Sequence, residues 1–101
     1  MNDLAREAEA CRRLWVSVAA AAIGDAAKNV VLARRDGDED AVIAREMRYF
    51  RSRSYRQVCE LAGLSYRPDH IERMLRSDKV AASLKKMARA YGTLVDQEGS
   101  A

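Results

Sequence analysis

Ser54-Tyr55-Arg56-Gln57-Val58-Cys59-Glu60-Leu61-Ala62-Gly63-Leu64-Ser65-Tyr66-Arg67-Pro68 is the stretch on which the fold turns. Ser54 followed three residues later by Gln57 reads as a capping box, each side chain reaching a backbone N–H that the first helical turn leaves free. A short helix from Tyr55 to Ala62 follows, and Gly63 supplies the left-handed residue that stops it. Leu64 is expected to re-enter the core, with Ser65-Tyr66-Arg67 as the connection. Pro68 fits the first position of a second helix that carries Asp69 in its first turn. Ile71, Met74 and Leu75 share that helix's apolar face, while Arg73 and Arg76 lie elsewhere on its surface. Cys59 is small enough to let a second helix cross closely, so residues from about 54 to 76 read as a helix-turn-helix. Its connection is about two residues longer than a compact three-residue turn.

The segments around this motif are helical too. Leu4, Ala8, Cys11, Trp15, Val18, Ala22 and Ala26 recur every three or four residues, one apolar stripe on a long first helix capped by Asn2 or Asp3 and reaching about Ala33. Trp15 and Val18 are expected inside. Gly24 is a weak point in that helix, with Asp25 able to cap a second segment if the chain breaks into a hairpin. Asp36-Gly37-Asp38-Glu39-Asp40 is an acidic turn, with Asp38 as the cap of a helix running to about Phe50 and turning Val42, Ile43, Met47 and Phe50 inward. A last helix is expected from Ser77 or Asp78, with Val80, Leu84, Met87, Ala88 and Tyr91 as its stripe and Gly92 as its end. The predicted architecture is all-α: one domain over residues 1–92 and a flexible tail over 93–101.

The composition agrees. The chain of 101 residues holds one proline and five glycines, and no run of alternating β-branched residues is long enough to seed a strand. No stretch of 18 residues is wholly apolar, so a membrane span is not expected. The run from Leu14 to Ile23 imitates a signal-peptide core, but Asp3, Glu7 and Glu9 precede it where such a peptide carries basic residues. A cytoplasmic location follows as an expectation. Cys11 and Cys59, isolated from one another, read as small apolar thiols rather than a disulfide or a metal site.

The charge is unevenly placed. Residues 1–44 carry six basic and eight acidic side chains, residues 45–91 carry twelve basic and five acidic, and Asp96 and Glu98 follow. The net values are −2, +7 and −2, so the positive charge lies over the helix-turn-helix. A concentrated basic segment is the electrostatic footprint of a nucleic-acid partner, or of another polyanion. At the start of the second helix Ser65, Tyr66, Arg67, Asp69, His70 and Arg73 would face the major groove of double-stranded DNA. Arg67 and Arg73 suit guanine, and Ser65 or Tyr66 suits a phosphate. Arg51, Arg53 and Arg56, near the start of the preceding helix, suit phosphate clamping.

Leu14-Trp15-Val16-Ser17-Val18, Ala22-Ile23-Gly24-Asp25-Ala26, and Tyr49-Phe50-Arg51-Ser52-Arg53-Ser54-Tyr55-Arg56-Gln57-Val58-Cys59-Glu60-Leu61-Ala62-Gly63-Leu64 resemble a family of small proteins of prophages and of the phage-derived gene transfer agents of alphaproteobacteria. The resemblance spans about residues 14–75 and is most distinctive over Val58 to Leu64. It implies a helix-turn-helix protein of phage-like origin, some members of which stand where a small terminase subunit would be encoded. The longer connection and the basic last helix depart from that pattern. Function on this reading is DNA binding in packaging or transcriptional regulation, by a homo-oligomer formed through the alanine-rich first helix. The alternative is a helical module that docks a polymerase, another part of the transcription machinery or a large terminase subunit without touching DNA. No nucleophile–base pair, phosphate loop, paired carboxylates or metal cluster is present in the sequence, so neither catalysis nor a cofactor is expected. His70 beside Asp69 reads as a surface pair.

Overall fold

A computed structural model describes residues 2–82, 85 and 86. The described residues are helical and contain no strand, so the all-α expectation holds. Four helices follow in order: α1 (Asn2–Asp36), α2 (Glu39–Phe50), α3 (Arg53–Ala62) and α4 (Pro68–Arg76). Residues 80–82 begin a further helical segment, with Val80 fully buried. The expected stripe positions Leu84, Met87, Ala88 and Tyr91, and the tail after Gly92, lie outside the described residues.

α1 runs through Gly24 without a break, so it is one helix rather than a hairpin. At about 1.5 Å per residue its 35 residues span roughly 52 Å, close to the 54 Å length of the whole molecule. It ends where Gly37, at φ 77°, takes the left-handed conformation and the Asp38 N–H reaches back to the Ala33 carbonyl at 3.1 Å. Asp38 precedes α2, but its side chain makes no cap hydrogen bond.

The buried face of α1 keeps the later part of the predicted stripe, Ala26 with Trp15 and Ala22, and not the earlier part. Ala19, Ala26, Ala27, Val30 and Ala33 are buried, Trp15 and Ala22 lie partly buried at the edge of the core, and Val18 is 37% exposed. Leu4, Ala8 and Cys11 are exposed, and no residue from 3 to 14 is buried. Small side chains decide this. α2 and α3 pack on α1, and close helix approach favours the face of small residues from Ala19 to Ala33, with Trp15 at its edge and Val18 turned away. Over one 18-residue window α1 reaches a mean hydropathy of 1.4, enough by length and composition to cross a membrane. A core helix meets the same criterion, and the alanine face is packed in that way; only 28% of the window is buried, however, and Leu14 and Val18 point outward.

α2 contributes Ile43, Met47 and Phe50 to the core as expected, and Val42 packs against it. α3 begins earlier than the capping-box reading places it. Ser52, in extended conformation, is the N-cap and its hydroxyl accepts the Tyr55 N–H at 3.3 Å, which leaves Ser54 exposed in the first turn. The earlier start turns Tyr55 inward, where it is 3% exposed. Gly63 stops α3 at φ 70°, with the Leu64 N–H on the Cys59 carbonyl. Leu64 is 44% exposed rather than buried, and Tyr66 folds back against the core in its place. Pro68 opens α4 as expected, and Ile71 and Leu75 are buried.

The two helices of the motif share the core but do not approach each other through their backbones. α3 packs chiefly on α1, and α4 chiefly on α2. The longer connection of residues 63–67, with Tyr66 wedged against Tyr55, separates them. This replaces the close crossing over Cys59 that the sequence suggested.

Candidate nucleic-acid interface

The site begins in the core. Phe50 and Tyr55 meet edge to face with ring centroids 4.9 Å apart, and Tyr49 leans on both at 5.4 and 5.5 Å. Tyr55 in turn carries Tyr66 at 6.3 Å, and the Arg56 guanidinium lies 5.8 Å from the centre of the Tyr66 ring. Aromatic packing and a cation over a ring are each worth about 0.5–1 kcal/mol, and together they lead from a buried Phe to a surface arginine. Burial, with a hydrogen bond to Cys59, holds the Tyr55 phenol well above its ordinary pKa, so the ring stays neutral.

Two shallow grooves meet at Tyr66. Arg51, Arg53, Arg56 and Tyr66 line one, together with Ser52, Gln57 and Glu60. Tyr66, Arg67, His70 and Arg73 line the other, with Pro68 and Asp69. Eight of the nine residues that the sequence singled out, Tyr66 among them, therefore line the two grooves; Ser65, exposed in the connection, lines neither.

The arginines are not equivalent. Arg51 Nη2 donates to Asp69 Oδ1 at 2.9 Å and Glu72 Oε1 at 3.3 Å, and these bonds raise its pKa. Arg56 stands 4.0 Å from Glu60. Among the described residues Arg53, Arg67 and Arg73 form no ion pair, in contrast to Arg51 and Arg56. Arg76 pairs with Glu72 and with Asp40 of α2.

Sequence reasoning missed two arrangements. One is the Arg51 clasp on α4. The other is Arg34, whose half-buried guanidinium donates to Glu39 at 2.6 Å and to the Leu75 and Ser77 carbonyls at 3.3 and 2.9 Å. Arg34 thus ties α1 to the start of α2 and satisfies carbonyls at the end of α4, where a cation is favoured. Neither arrangement leaves a local sequence signal, because Arg51 reaches 18 residues along the chain to Asp69 and Arg34 reaches 43 to Ser77.

Among the described residues no group of three His, Cys, Asp or Glu side chains is placed to hold a metal. Cys11 is exposed and Cys59 buried, and both are free thiols. Comparison with protein-family models, with curated proteins and with solved structures produced no match.

Proposed function

We propose that the protein binds double-stranded DNA through the arginine grooves around Tyr66, as a packaging factor of the small-terminase kind or a transcriptional regulator of phage-like origin, and carries out no chemistry of its own. One observation carries this reading: Arg53, Arg56, Arg67 and Arg73, drawn from α3, the connection and α4, converge on the two grooves that share Tyr66. Guanidinium groups set around an aromatic platform suit phosphates by charge and by paired donors, and bases by stacking. Because α4 does not cross α3 as in a compact helix-turn-helix, an approach along the groove edge fits this geometry better than deep insertion of α4. Arg53 and Arg56 then supply general affinity, and Arg67, at the start of α4, with Arg73, in its last turn, supplies any preference among sequences.

Self-association through α1 belongs to the same proposal. Leu4, Cys11 and Val18 recur every seven residues, and Leu14 and Ala21 each follow three residues after the second and third of them; all five are exposed, Val18 the least at 37%. A seven-residue seam on a helix with no buried residue from 3 to 14 suits a second copy of α1. The rival, a module that docks a polymerase or terminase subunit without DNA, is favoured by the exposed Leu61 and Leu64 at the end of α3.

The test is binding of a labelled duplex at two salt concentrations, with mass by light scattering. Tight binding at low salt that weakens steeply with added salt, by an assembly larger than one chain, is the expected result. A monomer that ignores duplex at low salt would support the docking module instead.

A further inference from the structure

We infer that Asp69 and Glu72 are an internal substitute for phosphate, holding Arg51 away from nucleic acid until a polyanion displaces them; this rests on the DNA-binding reading above. Arg51 lines the same groove as Arg53 and Arg56, yet its guanidinium is engaged by two carboxylates of α4. A carboxylate and a phosphate present oxygens to the same guanidinium fork, so each competes for Arg51. Asp69 is also placed to matter on its own. It lines the second groove beside Arg67, His70 and Arg73, where its negative charge opposes an approaching backbone.

The clasp is built to open. Both carboxylates and the guanidinium are solvent-accessible, the Asp69 side chain at 83%, and exposed ion pairs resist separation weakly. α4 does not depend on the clasp for its seat. Ile71 and Leu75 are buried, Arg34 holds the carbonyls at its end, and Arg76 joins it to Asp40. Opening therefore releases a cation without unseating the helix. A ligand of sparse charge leaves Arg51 occupied, whereas the dense phosphates of a duplex displace the carboxylates and recruit it.

The experiment measures duplex affinity over a salt series for the wild type, for Asp69→Asn/Glu72→Gln, for Arg51→Gln, and for the combination of all three, with helical content and melting recorded for each. In the wild-type background, neutralising the carboxylates should tighten binding by up to about fivefold, the cost of opening the clasp, with the slope of log affinity against log salt nearly unchanged because Arg51 reaches a phosphate in both complexes. In the Arg51→Gln background that gain in affinity should vanish. Should the double variant melt early, Asp69→Asn alone, which leaves the Glu72–Arg76 pair in place, decides the matter in the same way. An equal gain with and without Arg51 would mean simple removal of repulsion and overturn the clasp, as would no gain at all. A wild type that binds duplex without this coupling overturns the clasp alone. If none of these chains binds duplex, the DNA reading falls and the clasp with it; a silent wild type beside a binding Asp69→Asn/Glu72→Gln variant would support the clasp strongly.

Discussion

α3 and α4 are neighbours in sequence and of nearly equal length, yet they are attached to the molecule by different forces. α3 buries Tyr55, Val58, Cys59 and Ala62, four of its ten residues, and packs mainly on the alanine face of α1. α4 buries Ile71 and Leu75, lies mainly on α2, and is tied at both ends by guanidinium groups: Arg51 at its start, Arg34 and Arg76 at its end. Apolar burial is indifferent to salt at this level, whereas exposed ion pairs weaken as salt rises. The candidate interface straddles the two, so one side of it is set by packing and the other by charge.

The largest effect should come from the ring that both helices need. Phe50→Ala removes a side chain that is 1% exposed and on which Tyr55 rests. It should destabilise the fold by roughly 3–5 kcal/mol in denaturant unfolding, and a destabilisation below about 1 kcal/mol would show that the aromatic cluster is not a core. Arg34→Met should cost about 2–3 kcal/mol, the scale of hydrogen bonds to a charged group with partners left unsatisfied. Its signature should be local: faster amide exchange in α4 than in α3. Equal acceleration in both would contradict a separate attachment for α4.

Smaller effects sharpen the same contrast. Gly63→Ala keeps space around the new methyl, since Arg12 Cδ would lie 3.4 Å away, but forces a left-handed alanine at φ 70°. It should cost about 1–2 kcal/mol, and an unchanged melting temperature would mean that the turn had rearranged. Alkaline pH should act through α3. The folded pKa of Tyr55 is raised, so its contribution is complete below the unfolded value of about 10 and is lost as pH rises above it. Tyr55→Phe should blunt that alkaline destabilisation; an identical pH profile would place the ring in water. Smallest should be the effect of high salt on the intact chain, seen as a modest rise in amide exchange confined to α4.

Legibility in the sequence followed the range of the interaction. Gly63 as a left-handed stop, Pro68 at the head of α4 and the turn between α1 and α2 are local features, and each stands where the residues place it. Ser52 displaced Ser54 as the cap because Tyr55 had to reach Phe50, a preference that neither serine reveals. The stripe of α1 was drawn from Leu4 to Ala26 on periodicity; its later part, Ala26 with Trp15 and Ala22, lies on the buried face. Leu4, Ala8, Cys11 and Val18 do not, because the helices that pack on α1 meet it along the alanines from Ala19 to Ala33. At the site, the arginines were found from composition and position, and the grooves gather them around Tyr66. What periodicity does not carry is which arginine is already paired, because Asp69 and Glu72 reach Arg51 only through the fold.

The most direct test removes the cations on the packed and charged sides of the interface together. Duplex affinity should be measured from about 50 to about 200 mM salt for the wild type and for Arg53→Gln/Arg56→Gln/Arg67→Gln. The variant should bind more weakly at low salt, with a slope flatter by about one unit for each phosphate it no longer neutralises. Unchanged affinity and slope in a folded variant, or a wild type that binds no duplex at low salt, would contradict a nucleic-acid role for the Tyr66 grooves.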